Sequence, residues 1–129
     1  MNFNNYCFHD SIIEGVCYDG ENVNLSIAEG QYEGALGGCT VILNGENIEM
    51  YYFKQRPRRK IPTFKGRMIN IQELTRLFKK GLSILVEAFW KDIETNTYVL
   101  SGVLFPFARG AGVYRRIYIL FDNEPKIVL

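Results

Sequence analysis

The apolar positions of this chain fall into short blocks, most of them repeating every second residue. Val23, Leu25 and Ile27 alternate with Asn24 and Ser26, the pattern of a strand with one buried face. Upstream, Ile12, Val16 and Tyr18 read as one face of a partner strand, with Asp19-Gly20 as the turn between the two. Residues 39–43 and 48–53 flank Asn44-Gly45, whose two turn positions favour positive φ, so a second hairpin is predicted there. A glycine-rich loop over residues 29–38 separates the hairpins.

One block changes period. Ile71, Leu74, Leu77 and Phe78 recur at helical spacing. Asn70 can cap the first turn, and Glu73 stands three residues on, as in a capping box. Lys79 and Lys80 suit the negative end of the helix dipole, and Gly81 suits a left-handed stop.

Beyond the helix, residues 82–90 are apolar on both faces, which predicts a central strand. Residues 97–105 pair with them across a hairpin loop at 92–96, and residues 114–121 form the last clear strand. Residues 126–129 are a candidate edge strand. The predicted order is β-β-β-β-α-β-β-β. Its strand-to-strand links are too short for a crossover helix. The expected fold is therefore α+β, a single domain over 1–129, with a largely antiparallel sheet of about seven strands and one short helix.

Composition changes this picture little. A hydrophobic fraction of 47% with 22% charged residues is that of a globular protein, not a disordered one. Its apolar runs are strand-sized, so no transmembrane helix is predicted, and the opening Met1-Asn2-Phe3-Asn4-Asn5 has neither the charge nor the apolar run of a signal peptide. Cys7, Cys17 and Cys39 lack framework spacing, which points to reduced thiols and a cytoplasmic location.

Charge changes it more. The net charge of +1 conceals three blocks. Residues 1–53 hold no Lys or Arg but eight acids: Asp10, Glu14, Asp19, Glu21, Glu29, Glu33, Glu46 and Glu49. Residues 54–80 hold ten bases (Lys54, Arg56, Arg58, Arg59, Lys60, Lys65, Arg67, Arg76, Lys79 and Lys80) against Glu73 alone. From Gly81 onward, five bases balance five acids. Internal compensation would leave a solvated surface of no consequence. Two separated poles would instead steer a charged partner. The basic run Lys54, Arg56, Arg58, Arg59, Lys60, Lys65 and Arg67 is a candidate phosphate contact, with Tyr51, Tyr52 and Phe64 as stacking platforms, although it sits in no recognised nucleic-acid motif.

Catalytic and metal chemistry find less support. His9 is the only histidine and has Cys7, Asp10 and Ser11 as neighbours. In an extended segment Cys7 and His9 share a face, whereas Asp10 and Ser11 cannot both join them, so a polar turn is the expected role. Cys7, His9, Cys17 and Cys39 match no zinc spacing, and no metal or cofactor is expected. The loop at 29–38 lacks the Gly-Lys-Ser/Thr ending of a phosphate loop and leads into a strand. A contact surface through Glu29, Tyr32, Glu33 and Leu36 is the alternative use for it.

The opening Tyr6-Cys7-Phe8-His9-Asp10-Ser11-Ile12-Ile13-Glu14-Gly15-Val16, followed by a short turn and an alternating strand, resembles small bacterial proteins of the toxin-immunity type. The resemblance covers roughly the first 28 residues and carries over no binding residue. It implies a stoichiometric inhibitor that blocks a toxin's active site or exit groove without chemistry of its own. A non-catalytic protein-binding module is accordingly the leading expectation. A nucleic-acid-binding accessory protein using residues 54–67, and a small enzyme or ligand-binding domain around His9, are the alternatives.

Overall fold

The computed structural model describes Phe8 and residues 10–28, 38–44, 47–56, 63–106 and 114–128, with backbone alone at 55–56, 63–65 and 114. It contains nine strands and one helix: β1 (Ile12–Tyr18), β2 (Asn22–Ile27), β3 (Cys39–Asn44), β4 (Glu49–Arg56), β5 (Thr63–Ile69), α1 (Ile71–Lys79), β6 (Ser83–Asp92), β7 (Thr97–Phe105), β8 (Tyr114–Phe121) and β9 (Lys126–Val128). They form one antiparallel sheet in the order β5-β4-β8-β7-β6-β1-β2-β3-β9. The expected antiparallel sheet with one helix is present, with nine strands in place of about seven. The added strands are β5, which sequence leaves as a basic linker, and the short edge strand β9.

The predicted hairpin across Asn44-Gly45 does not form. β3 pairs with β2 and β9, whereas β4 pairs with β5 and β8, so both edges of each strand are already occupied. Asn-Gly is a local signal, and here the long-range fit of apolar faces overrides it.

This pairing fixes the shape of the sheet. β3 and β4 stand six places apart in the strand order, yet only residues 45–48 join them. In a flat sheet six places span roughly 29 Å, at about 4.8 Å per strand. Five residue steps reach at most about 18 Å. The link from β8 to β9 also crosses six places with only residues 122–125. The sheet must therefore curl until its two ends approach each other. A hydrogen bond donated by Asn47 Nδ2 to Asp122 Oδ2 (3.1 Å) ties the two links together. The core fills the inside of the curl: one cluster draws buried side chains from all nine strands and the helix, including Leu25, Val41, Ile84, Leu100, Ile117 and Ile119.

In β1 Ile13 and Val16 face the core, and Tyr18, on the same side of the strand, is exposed. Ile12, Val16 and Tyr18 were the expectation, but a bulge between Ile13 and Gly15 inserts Glu14 and shifts the alternation by one residue. Ile13 is consequently the fully buried side chain. After Ile12 and Ile13, β1 no longer pairs with β6, and α1 packs against it. Leu74 is the helix residue buried completely. Asn70 Oδ1 accepts from Glu73 N (2.9 Å), the predicted N-cap, and Gly81 takes φ +86° just past the helix, where a side chain would be strained.

Candidate functional site

The inward faces of β4, β5 and β8 pass from core to charge along their length. Register places Met50 beside Ile69 and Ile119, all buried. Two residues along, Tyr52 stands between Arg67 and Ile117; two further, Lys54 stands between Lys65 and Arg115. Since side chains alternate across a strand, Tyr52 and Lys54 share the face of Met50, and Arg115 shares the face of Ile117 and Ile119. Like charges at directly opposed positions destabilise a sheet. The inner surface thus ends in an electrostatically unfavourable pair, Lys54 opposite Arg115.

The helix adds further cations over this end. Tyr52, Arg67 and Ile69 from the sheet, Glu73, Arg76, Leu77 and Lys80 from α1 and its end, and Arg115 from β8 enclose a groove of about 290 Å³. Glu73 is the one carboxylate there and accepts from Arg67 Nη1 at 2.6 Å. The Arg67 guanidinium lies 5.5 Å from the centre of the Tyr52 ring, a cation–π arrangement that orients it. Arg115 Nη2 has a long contact of 3.5 Å to the Pro106 carbonyl. Among the described residues, Lys54, Arg76, Lys80 and Arg115 have no carboxylate within ion-pair distance.

The outward face of the same strands is aromatic. Tyr51 occupies it, opposite in direction to Tyr52, so these two predicted stacking residues do not act together. Phe53 packs edge-on against Tyr118 at 5.2 Å between ring centres. Its ring also covers Gly66, where an added Cβ would fall 2.3 Å from a ring carbon. Tyr51 donates to Glu49 Oε2 (2.8 Å), and the adjacent carboxylate pushes its phenol pKa upward.

Glu14, Asp19 and Glu21 are exposed on β1 and the turn that follows it; the Val16–Tyr18 part of that strand lines a groove with Arg76 and Lys79 of α1. Asp19 Oδ1 accepts from Asn22 N (2.7 Å) and Glu21 N (2.9 Å), and these two bonds hold its carboxyl below the usual range. The ion pairs Arg67–Glu73 and Arg116–Glu87 join no acid of residues 1–53 to a base of 54–80 among the described residues. The acidic and basic blocks are not neutralised by one another there.

The sequence-predicted sites are only partly covered. Glu29, Tyr32, Glu33 and Leu36 lie outside the described residues, as do Cys7, His9, Arg58, Arg59 and Lys60. Of the predicted basic residues Arg67 lines the groove, whereas Lys54 lies two positions beyond Tyr52 on β4 and does not line it; Arg56 and Lys65 occupy β4 and β5. Sequence reading did not assign Arg76, Lys80 and Arg115 to a site. Arg115 was legible as a charge in the alternating series with Ile117, Ile119 and Phe121, but it belongs to a block with no net charge. Ser11 is fully buried in a turn in which Ser11 N donates to the Phe8 carbonyl and Asp10 N to the Val86 carbonyl, each at 2.9 Å. That burial closes the Ser11 hydroxyl to an incoming substrate. Cys17 is exposed and Cys39 buried, both as free thiols, and burial pushes the Cys39 pKa up. Among the described residues, no group of three or more His, Cys, Asp or Glu could hold a metal ion, and no helix is long and apolar enough to cross a membrane.

No protein-family model, curated protein or solved structure matches the chain.

Proposed function

We propose that this protein is a non-catalytic recognition module that binds a protein partner, acting in the cytosol as a stoichiometric inhibitor of a cationic toxin domain. The observation that carries the reading is the absence of pairing between the two charge blocks among the described residues, which leaves Glu14, Asp19 and Glu21 facing solvent. Exposed carboxylates grouped on a rigid sheet accelerate encounter with a basic surface and orient it, more than they add to final affinity. A nuclease toxin, which must hold phosphates, presents such a surface. The opening motif's likeness to immunity-type proteins supports the same class, and the free thiols of Cys17 and Cys39 suit a reducing compartment.

Co-expression with a basic nuclease toxin domain tests the reading. Neutralisation of toxicity and a one-to-one complex are the expected results. The triple variant E14K/D19K/E21K should associate at least tenfold more slowly at low salt, with little change at high salt. Equal association rates for the variant and the native chain would overturn the acidic contact.

A further inference from the structure

We propose that the groove between α1 and the inner face of β4, β5 and β8 is a binding site for the phosphate group of a nucleotide, whether free or within a single strand of nucleic acid. This rests on the groove alone and does not depend on the toxin-inhibitor reading.

The first argument is the placement of charge. Arg67, Arg76, Lys80 and Arg115 reach the groove from β5, the helix and β8, against the single carboxylate of Glu73. The stretch 67–80 supplies three of these cations, and the pairing of β8 with β4 brings Arg115 to the same concavity. A local basic run alone would not bring Arg115 there.

The second is its energetic cost. Lys54 is placed directly opposite Arg115 on the inward side of the sheet, and among the described residues neither has a carboxylate within ion-pair distance. Such a like-charged pair weakens the empty protein, and an anion bound at Arg115, which lines the groove, relieves it.

The third is fit. Guanidinium groups offer forked donors that match phosphate oxygens, and Arg67 is oriented by the Tyr52 ring beneath it. One arginine would satisfy a carboxylate; cations arriving from several sides suit a tetrahedral, multiply charged oxyanion. A volume of about 290 Å³ exceeds that of a phosphate alone and leaves room for part of the group that carries it. Glu73 keeps Arg67 in place while the groove is empty, and its carboxylate selects against a ligand that would approach from that side.

Titration calorimetry at low salt tests this with three probes: inorganic phosphate, a nucleoside 5′-monophosphate and a single-stranded 12-mer. The native protein should bind at least one nucleotide-containing probe, and R76Q/R115Q should bind it at least tenfold more weakly. A 12-mer binding tenfold tighter than the mononucleotide, with affinity falling steeply as salt rises, identifies a strand as the source. Comparable affinity for the two identifies a free nucleotide. R76Q/R115Q removes like-charge repulsion, so its melting temperature without ligand should equal or exceed that of the native protein. Lys80→Gln, at the helix end and away from the sheet pairing, repeats the test should the double variant misfold. Failure of all three probes to bind the native protein, or undiminished binding by the folded variants, overturns the proposal.

Discussion

In β2 and β3 every second side chain is buried: Val23, Leu25 and Ile27 on one, Cys39, Val41 and Leu43 on the other. In β4, β5 and β8 the same alternation begins with Met50, Ile69 and Ile119 and then passes through Tyr52 and Arg67 to Lys54 and Arg115. The two regions share a sheet, an antiparallel register and a curl, and differ in how far the apolar face extends. One contributes all its inward positions to the core. The other gives up Lys54, Arg67 and Arg115 among its described inward positions to charge and gains a groove. A sheet of this kind can hold its stability at one end and a binding site at the other, because the core needs only part of the inner surface.

Substitutions at matched inward positions put that contrast to the test. Leu25→Ala, in the fully apolar region, should lower the unfolding free energy by about 2–5 kcal/mol in urea denaturation, since the surrounding strands cannot close over the cavity. Gly66→Ala probes the outer face of the cationic region. Its Cβ would press on the Phe53 ring, a cost of roughly 1–3 kcal/mol, and F53L/G66A should recover part of that loss. Lys54→Gln should act in the opposite direction from Leu25→Ala, raising stability by roughly 0.2–1 kcal/mol at low salt and by less at high salt. A loss comparable to that of Leu25→Ala would mean that Lys54 belongs to the core after all.

The smallest effect is on pH dependence at the turn that follows β1. Asp19 has a lowered folded-state pKa, set first by its bond from Asn22 N, so its contribution to stability is complete above the unfolded-state value and disappears as pH falls through the folded one. Asp19→Asn should therefore lower stability slightly at neutral pH, leave it nearly unchanged at low pH, and so flatten the acid side of the stability profile. Thermal melts across the acid range would show it, and an unaltered acid limb would remove Asp19 from that role.

Much of the architecture was legible in the residue pattern, and the failures have specific causes. The period-two runs found β2, β3 and β8, the helical spacing found α1 with its Asn70 cap and Gly81 stop, and the run apolar on both faces placed β6 centrally. β5 was missed because an edge strand carrying Lys65, Gly66 and Arg67 has the composition of a loop; charge on an edge is what keeps it from pairing further. The Asn44-Gly45 hairpin failed because turn chemistry reports on two residues while pairing is decided by whole faces. The charge blocks pointed to Lys54 and Arg67, but Arg115 reaches the groove only through the pairing of β8 with β4, a contact no local pattern encodes.

The pairing of β1 with β6 has a consequence for how the chain acquires its structure. Ile12 meets Leu85 and Ile13 meets Ile84, partners separated by most of the intervening chain. Loops of that length must be closed before their contacts contribute anything, and an all-antiparallel sheet with such distant partners has high contact order. The hairpins β1–β2 and β6–β7, each closed by a short turn, can assemble early and independently. Their meeting then sets the pace, so refolding should take milliseconds to seconds, not microseconds.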